Sequence, residues 1–166
     1  MIAVASALGG AGYDVVRFNF AYRERGSKLP DRMPALQTEV AAAAARAREE
    51  LKPRRLLIGG RSMGGRAASM LAAEGFACDG LLLLAYPLHP AGKPDKLRDA
   101  HLAQIRVPVL CFNGTRDELC RRDLMEKALE GLSWQMHWLD GAGHSFRAKD
   151  LEEIAEVSGA WLSRLG

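Results

Sequence analysis

The sequence predicts an α/β protein in which a mostly parallel sheet lies between two layers of helices. Short apolar runs, typical of buried strands, alternate along the chain with longer segments of helical periodicity. One such run, residues 55–60, continues through Gly60-Arg61-Ser62-Met63-Gly64 directly into a helical segment. Strands that are buried on both faces read as continuous apolar runs, so the pattern indicates helices on both sides of the sheet.

The predicted elements of the first half follow one another closely. They are a helix over residues 2–8 that ends in a glycine-rich turn, a strand over 14–20, a polar loop over 22–34, an alanine-rich helix over 36–51, the strand over 55–60 and a helix after Ser62. Residues 14–20 are assigned to a strand because β-branched and aromatic side chains dominate there. Pro53 marks the end of the preceding helix, because proline cannot continue one.

The second half repeats the alternation. It contains predicted strands over 80–86, 107–112 and 134–139, a short helix over 97–105, a helix over 121–132 and a closing helix over 151–165. The interval between the strands over 80–86 and 107–112 is too short for a large lid domain. We therefore expect an open site that takes small or extended substrates.

Composition limits the function classes. The 166 residues, with 48% hydrophobic and 26% charged content, suit one globular domain spanning residues 1–166. The net charge of +3 comes with scattered arginines, so we expect no nucleic-acid partner. Cys78, Cys111 and Cys120 form no close pair and no metal-binding spacing, which is typical of a reduced cytoplasmic protein. No apolar run has the length of a membrane span, and neither a cofactor nor a metal is expected.

Ser62 is predicted at the apex of a sharp turn from strand to helix. Such a turn strains the backbone of the serine, and Gly60 and Gly64 would remove clashes because glycine has no Cβ. The hydroxyl then lies at a helix N-terminus, where the backbone N–H of Met63 can stabilise a developing oxyanion. A plain glycine-rich loop is one alternative. A phosphate-binding loop is another, although the Gly-Lys-Ser/Thr sequence that it requires is absent.

Two further polar residues follow predicted strands and complete a candidate catalytic set. Asp117 follows the strand over 107–112, and His144 follows the strand over 134–139. The carboxyl ends of parallel strands meet at one edge of the sheet, so Ser62, Asp117 and His144 are expected to lie together. Their order along the chain is that of a hydrolase triad, in which histidine takes the serine proton and aspartate orients the histidine.

Each member of this set also has a simpler explanation when it is considered alone. Asp117 is a reasonable helix cap, and His144 a reasonable solvated turn residue. Glu118 is an alternative to Asp117 as the acid. Asp140 is expected to support the loop that carries His144.

Four residues are candidates for substrate binding. Arg61, Arg23 and Arg25 follow predicted strands and could meet an anionic group, or could be solvated charges at the rim. His89 follows the strand over 80–86 and is expected to line the mouth of the site. His101, in contrast, is expected on the surface of a helix.

Several motifs resemble the dienelactone-hydrolase-like α/β-hydrolases, in particular the bacterial proteins similar to the Tex and NSL-complex hydrolase-like subunits. They are Val-Val-Arg-Phe-Asn-Phe-Ala-Tyr-Arg-Glu-Arg-Gly (15–26), Pro-Asp-Arg (30–32), Gly-Gly-Arg-Ser-Met-Gly-Gly-Arg (59–66), Tyr-Pro-Leu-His-Pro (86–90) and the segments 92–102, 114–117 and 143–146. The resemblance covers nearly the whole chain. It implies an α/β-hydrolase-like three-layer sandwich and a serine hydrolase that cleaves an ester or related acyl bond of a small molecule. Since relatives in this superfamily also serve as scaffolds, a non-catalytic binding module is the alternative.

The sequence departs from the resemblance at its N-terminus. Family members carry further strands, one of which ends in a His-Gly loop, supplies the second oxyanion donor and precedes the first helix found here. The resemblance therefore implies a chain that is N-terminally truncated relative to the family, and we expect a gap or a re-paired sheet between residues 14–20 and 55–60. A misplaced start, a fragment and a chain that functions without the strand all remain open, as does a homodimer that completes the sheet. Losing one oxyanion donor costs roughly a hundred- to thousandfold in rate, so weak hydrolysis is expected.

Overall fold

The computed structural model describes residues 2–165, which form four strands in one parallel sheet of order β1-β2-β3-β4. The strands are β1 (Leu57–Arg61), β2 (Gly80–Leu84), β3 (Val109–Gly114) and β4 (Trp134–Leu139). The helices are α1 (Ile2–Gly10), α2 (Ala21–Glu24), α3 (Met33–Leu51), α4 (Met63–Ala73), α5 (Arg122–Ala128) and α6 (Ala148–Arg164), with a 3₁₀ turn at Leu102–Gln104. Within residues 2–165, no helix is long and apolar enough to cross a bilayer.

The two central strands are apolar on both faces and divide the core in two. On one face of the sheet, alternate residues of β2 and β3 such as Leu81 and Cys111 pack with apolar side chains of α3 and α4. On the other face, Leu110 and Phe112 pack with side chains of α1 and α6, including Trp161. Because successive side chains of a strand point to opposite faces, this alternation places helices on both sides. The predicted three-layer α/β sandwich is confirmed.

Two predicted elements are wrong. Residues 14–20 do not form a strand, because no strand of residues 2–165 lies beside them and a strand requires a hydrogen-bonding partner. The helix predicted over 97–105 is limited to the 3₁₀ turn. The backbone N–H of Arg98 donates to the carbonyl of Leu88, 2.8 Å away, and so leaves the helical hydrogen-bonding pattern.

A large cavity separates residues 13–18 from β1, and we call it the edge cleft. Its volume is about 1060 Å³, and apolar side chains of α1 and α3, among them Leu8 and Ala44, line it together with β1. Of the two arrangements expected here, a gap or a re-paired sheet, the structure shows the gap. The four strands keep their order, and β1 is left as an edge strand.

His101 is half-buried rather than on a helix surface as expected. Its Nε2 atom lies 2.9 Å from Ser69 Oγ and 3.4 Å from the hydroxyl of Tyr86. Burial, and to a smaller extent the positive charge of Arg66, lowers the pKa of His101 to about 4. His101 is therefore neutral in the folded protein at neutral pH.

This burial predicts a pH dependence of stability. Between about pH 6.5 and pH 4 the unfolded chain binds a proton on His101 that the folded protein does not bind, so stability falls as pH falls through this window. Allowing for the partial exposure of the ring, we expect a loss of about 1–2 kcal/mol. Urea unfolding of the native protein and of His101→Gln, from pH 8 to pH 4, measures the free energy of unfolding of each. The difference in this free energy between the two proteins should change across the window, and a constant difference would contradict the prediction.

Candidate active site

Ser62 occupies a strained turn between β1 and α4. Its φ of +53° and ψ of −117° lie where residues with a side chain rarely occur. Hydrogen bonds on both sides of the residue hold it there. The N–H of Ser62 donates to the carbonyl of Leu84 at 2.8 Å, and its carbonyl accepts from the N–H of Arg66 at 3.0 Å. The last residue of β2 and the first turn of α4 therefore hold the backbone of the serine in place.

The close packing of this turn depends on Gly60 and Gly65. A Cβ on Gly65 would lie 2.7 Å from the carbonyl oxygen of Gly60, and a Cβ on Gly60 would lie 3.0 Å from the carbonyl carbon of Gly64. A Cβ on Gly64 would instead make an ordinary contact of 3.6 Å with the ring of Phe20. The expectation that Gly64 removes a clash is wrong, and Gly65 has that role.

The structure brings Ser62, His144 and Asp117 into one hydrogen-bonded series. Ser62 Oγ lies 2.8 Å from His144 Nε2, and His144 Nδ1 lies 2.9 Å and 3.1 Å from the two carboxylate oxygens of Asp117. The side chain of Asp117 is fully buried, whereas that of His144 is 21% exposed. Because a carboxylate only accepts, it favours the proton on Nδ1 and leaves Nε2 free to accept from the serine hydroxyl. Such an arrangement can activate a serine as a nucleophile.

Asp117 is oriented by two further donors. The side-chain amide of Asn113 donates to Asp117 Oδ2 at 3.3 Å, and the backbone N–H of Leu119 donates to Oδ1 at 2.9 Å. Asn113 is itself fully buried, and its amide contacts the backbone N–H and carbonyl of Tyr86 at 3.1 Å each. Asn113 was not among the site residues predicted from the sequence. A polar residue that follows four apolar residues of a buried strand was the available signal.

Arg61 contacts the histidine loop. One of its guanidinium nitrogens donates to the backbone carbonyl of His144 at 2.9 Å and to Ser145 Oγ at 3.0 Å. Arg61 was a candidate for substrate binding or for a solvated charge at the rim, but its guanidinium has acceptors within the protein. The other two arginines assigned to substrate are exposed. Arg25 forms an ion pair with Asp31 at 2.9 Å, and Arg23 lies in α2.

His89 does not line the mouth of the site. Only 2% of it is exposed, and its Nε2 accepts the backbone N–H of Arg121 at 3.0 Å, which leaves Nδ1 to donate to the carbonyl of Pro90. Its own backbone N–H donates to the carbonyl of Leu119. The expected substrate contact is wrong, because one ring nitrogen holds the loop that follows Asp117 and the other bonds the backbone next to His89 itself.

The remaining candidates lie around this series. Met63 is the first residue of α4, and N–H groups of a first helical turn have no acceptor within the helix. Glu118 is exposed, so the buried Asp117 is the carboxylate that contacts His144. Asp140 accepts from the hydroxyl of Thr115 at 3.4 Å, at the turn after β4. Among the described residues, no group of His, Cys, Asp and Glu could hold a metal ion.

Comparison with known proteins places this geometry in a family. Residues 1–158 match the family described as alpha/beta hydrolase domain. Three solved structures illustrate the fold. An alpha-beta serine hydrolase homologue from Coxiella burnetii has a TM-score of 0.77 and 20% identity, over 97% of this chain and 74% of the other. The esterase domain of a Rhodothermus marinus protein has a TM-score of 0.75 and 22% identity, over 99% of this chain and 80% of the other.

The third structure is a serine hydrolase without a lid from Xanthomonas campestris, with a TM-score of 0.76 and 23% identity over 98% of this chain and 72% of the other. At these identities the three structures show a shared fold. The match over residues 1–158 extends the relationship to the sequence itself. The chain belongs to the alpha/beta hydrolase domain family.

Proposed function

We propose that the protein is a serine hydrolase that cleaves an ester or related acyl bond of a small molecule. The observation that carries the proposal is the uninterrupted series from Ser62 Oγ through His144 to the buried carboxylate of Asp117. A serine held at a φ of +53° beside such a series is costly to maintain, and strain of this kind collects at functional sites.

The proposed reaction proceeds through an acyl-serine intermediate. Ser62 Oγ attacks the acyl carbonyl while His144 Nε2 takes its proton, and the oxyanion forms near the N–H of Met63. The intermediate collapses, and the imidazolium returns the proton to the departing alcohol. Water then attacks the acyl-serine with His144 again as the base, which releases the carboxylic acid and restores Ser62. Asp117 stabilises the imidazolium in both halves of the reaction.

The substrate class follows from the surroundings of Ser62. The segment between β2 and β3 contributes one 3₁₀ turn and no longer helix, so the proposed site is open to small or extended acyl compounds. A dienelactone-hydrolase-like activity is one member of this class, and it is proposed on the resemblance of the sequence.

A non-catalytic binding module is the second candidate, and the edge cleft favours it. The cleft borders β1, the strand that leads into Ser62, so in the described part of the chain β1 is paired along one edge only. A less firmly supported elbow would position the serine less well, since a misplacement of about 1 Å can cost a hundredfold in rate.

Hydrolysis of p-nitrophenyl esters with acyl chains of increasing length separates the two candidates. An acyl-serine enzyme is expected to release one equivalent of p-nitrophenol per active site in a burst and then turn over more slowly. The binding module would give neither burst nor turnover above the rate of Ser62→Ala. Circular dichroism of both proteins shows whether a negative result comes from folded protein.

Arg61 is expected to position His144 for this reaction. Arg61→Ala removes two hydrogen bonds to the histidine loop, so kcat should fall roughly tenfold to a hundredfold with little change in KM. Arg61→Lys should recover part of kcat because lysine can still donate to the carbonyl of His144. Steady-state kinetics on the p-nitrophenyl ester hydrolysed best measures both values. A rise in KM at unchanged kcat would instead support the original assignment of Arg61 to substrate binding.

A further inference from the structure

Two arginines outside the series of Ser62, His144 and Asp117 lie close together beside it. Arg66 is one helical turn beyond Ser62 in α4, and Arg98 is in the segment between β2 and β3. Burial, and after it the positive charge of Arg66, lowers the pKa of Arg98, so the two guanidinium groups are near each other. Both arginines are half-buried, so each can reach a ligand from the protein surface.

A chain of hydrogen bonds fixes the backbones that carry the two arginines. Ser69 Oγ donates to the carbonyl of Arg66 at 2.9 Å and lies 2.9 Å from His101 Nε2. That nitrogen lies 3.4 Å from the hydroxyl of Tyr86, which donates to the carbonyl of Arg98 at 3.0 Å. Since the hydroxyl protons of Ser69 and Tyr86 go to backbone carbonyls, His101 carries its proton on Nε2. The two arginines are therefore held in place by the protein alone.

Neither guanidinium group has an acidic partner. Within residues 2–165, no ion pair involves Arg66 or Arg98. The Nε of Arg66 is buried and has no acceptor in this part of the chain, and such a donor is costly to leave unpaired. The pKa of His101 is lowered most by burial and next by Arg66, whose effect exceeds the opposite effects of Asp99 and of Glu74. The positive charge of the pair is therefore not compensated.

A phosphate group matches this pair of arginines. Each planar guanidinium can donate two parallel N–H bonds to a phosphate or a carboxylate. Two guanidinium groups carry two positive charges, and a phosphate monoester carries a charge of about −1.5 to −2 at pH 7 on three terminal oxygens. A carboxylate offers only one negative charge and two oxygens. Phosphate thus neutralises the pair and can accept from both arginines at once.

We propose that Arg66 and Arg98 together bind the phosphate group of a small molecule. The two residues lie on the segments that follow β1 and β2, whose carboxyl ends form the edge of the sheet where Ser62 lies. This placement assigns the phosphate to the compound whose acyl bond is cleaved. The assignment to the substrate rests on the proposed function, whereas the binding of phosphate does not.

Titration with inorganic phosphate at constant ionic strength tests the site without catalysis. Phosphate at about ten times its dissociation constant is expected to raise the melting temperature of the native protein saturably by about 3–6 °C. Arg66→Gln and Arg98→Gln should each weaken phosphate binding about tenfold or more, because each removes one charge and its paired N–H donors. Arg46→Gln is the matched control and should bind as the native protein does, since Arg46 pairs with Glu50 on the exposed side of α3.

Far-UV circular dichroism checks that each variant folds. If Arg66→Gln does not fold, Arg66→Lys replaces it, and it should still weaken binding because lysine keeps the charge but not the planar pair of donors. The proposal is overturned if the native protein shows no saturable shift. It is also overturned if the folded variants of Arg66 and Arg98 bind phosphate as tightly as Arg46→Gln.

Inhibition of ester hydrolysis tests the assignment to the substrate. Phosphate is expected to raise KM for the p-nitrophenyl ester at unchanged kcat, and this effect should be lost in Arg66→Gln. Saturable phosphate binding at unchanged KM would overturn the assignment and indicate a separate phosphate ligand. Phosphate binding by a protein that hydrolyses no ester would contradict the proposed function and leave the site standing. Ester hydrolysis without phosphate binding would contradict the site and leave the proposed function standing.

Discussion

Asp117→Asn is expected to lower kcat/KM by about 10⁴-fold while the fold stays intact, as in other hydrolases with this set of residues. The carboxylate accepts from three donors, namely His144 Nδ1, Asn113 Nδ2 and the backbone N–H of Leu119. An amide of the same shape has one acceptor oxygen and one donor nitrogen. If the amide oxygen of Asp117→Asn keeps its hydrogen bond from the Leu119 N–H, the amide nitrogen faces both Asn113 and His144.

The consequence is a change of histidine tautomer. An amide nitrogen facing His144 donates to Nδ1, so the imidazole proton moves to Nε2, which then cannot take the proton of Ser62. Asp140→Asn is the matched control, because Asp140 contacts Thr115 rather than His144. Steady-state ester hydrolysis measures both variants. Activity of Asp117→Asn within tenfold of the native protein would rule out this role for Asp117.

Ser62→Ala is expected to reduce ester hydrolysis by about 10⁴-fold or more, to the limit set by the surrounding site. Because alanine also has a Cβ, the variant should keep the strained backbone and nearly the native melting temperature. Ser163→Ala is the control for loss of a serine hydroxyl outside this series, since Ser163 donates to the carbonyl of Ala160 within α6.

Ser62→Gly separates strain from chemistry. Glycine adopts a φ of +53° without steric cost, so this variant should be inactive and at the same time more stable than the native protein, by about 1 kcal/mol. Thermal unfolding of the three proteins at one pH measures the difference. If the backbone of Ser62 is strained, stability should rise in Ser62→Gly and not in Ser62→Ala. Equal stability of all three would show that the turn stores no strain at Ser62.

The sequence predicted most of the sheet because its strands are locally distinctive. Residues 134–139 form β4 with the predicted bounds, and apolar runs identified β2 and β3 to within two residues. The grouping of Ser62, Asp117 and His144 was also predictable, since parallel strands end at one edge. These inferences needed only the local pattern of apolar residues and the rule that the carboxyl ends of parallel strands lie at one edge of the sheet.

The failures concern features that depend on distant residues. Residues 14–20 have the composition of a strand, but composition cannot show whether a partner strand lies beside them. His89 was expected in the mouth of the site, and its burial depends on an N–H that Arg121 supplies from 32 positions away. Asn113 was overlooked because its partners Tyr86 and Asp117 come close only after folding.

Labelling with a fluorophosphonate probe tests the central claim, that Ser62 is a nucleophile activated by His144 and Asp117. The native protein, Ser62→Ala and Asp117→Asn are exposed to the probe at pH 7.5, and the modified peptide is identified by mass spectrometry. We predict one label per chain on Ser62, no label on Ser62→Ala and much slower labelling of Asp117→Asn. Folded native protein that stays unlabelled, or Ser62→Ala that is labelled at the native rate, would contradict the claim.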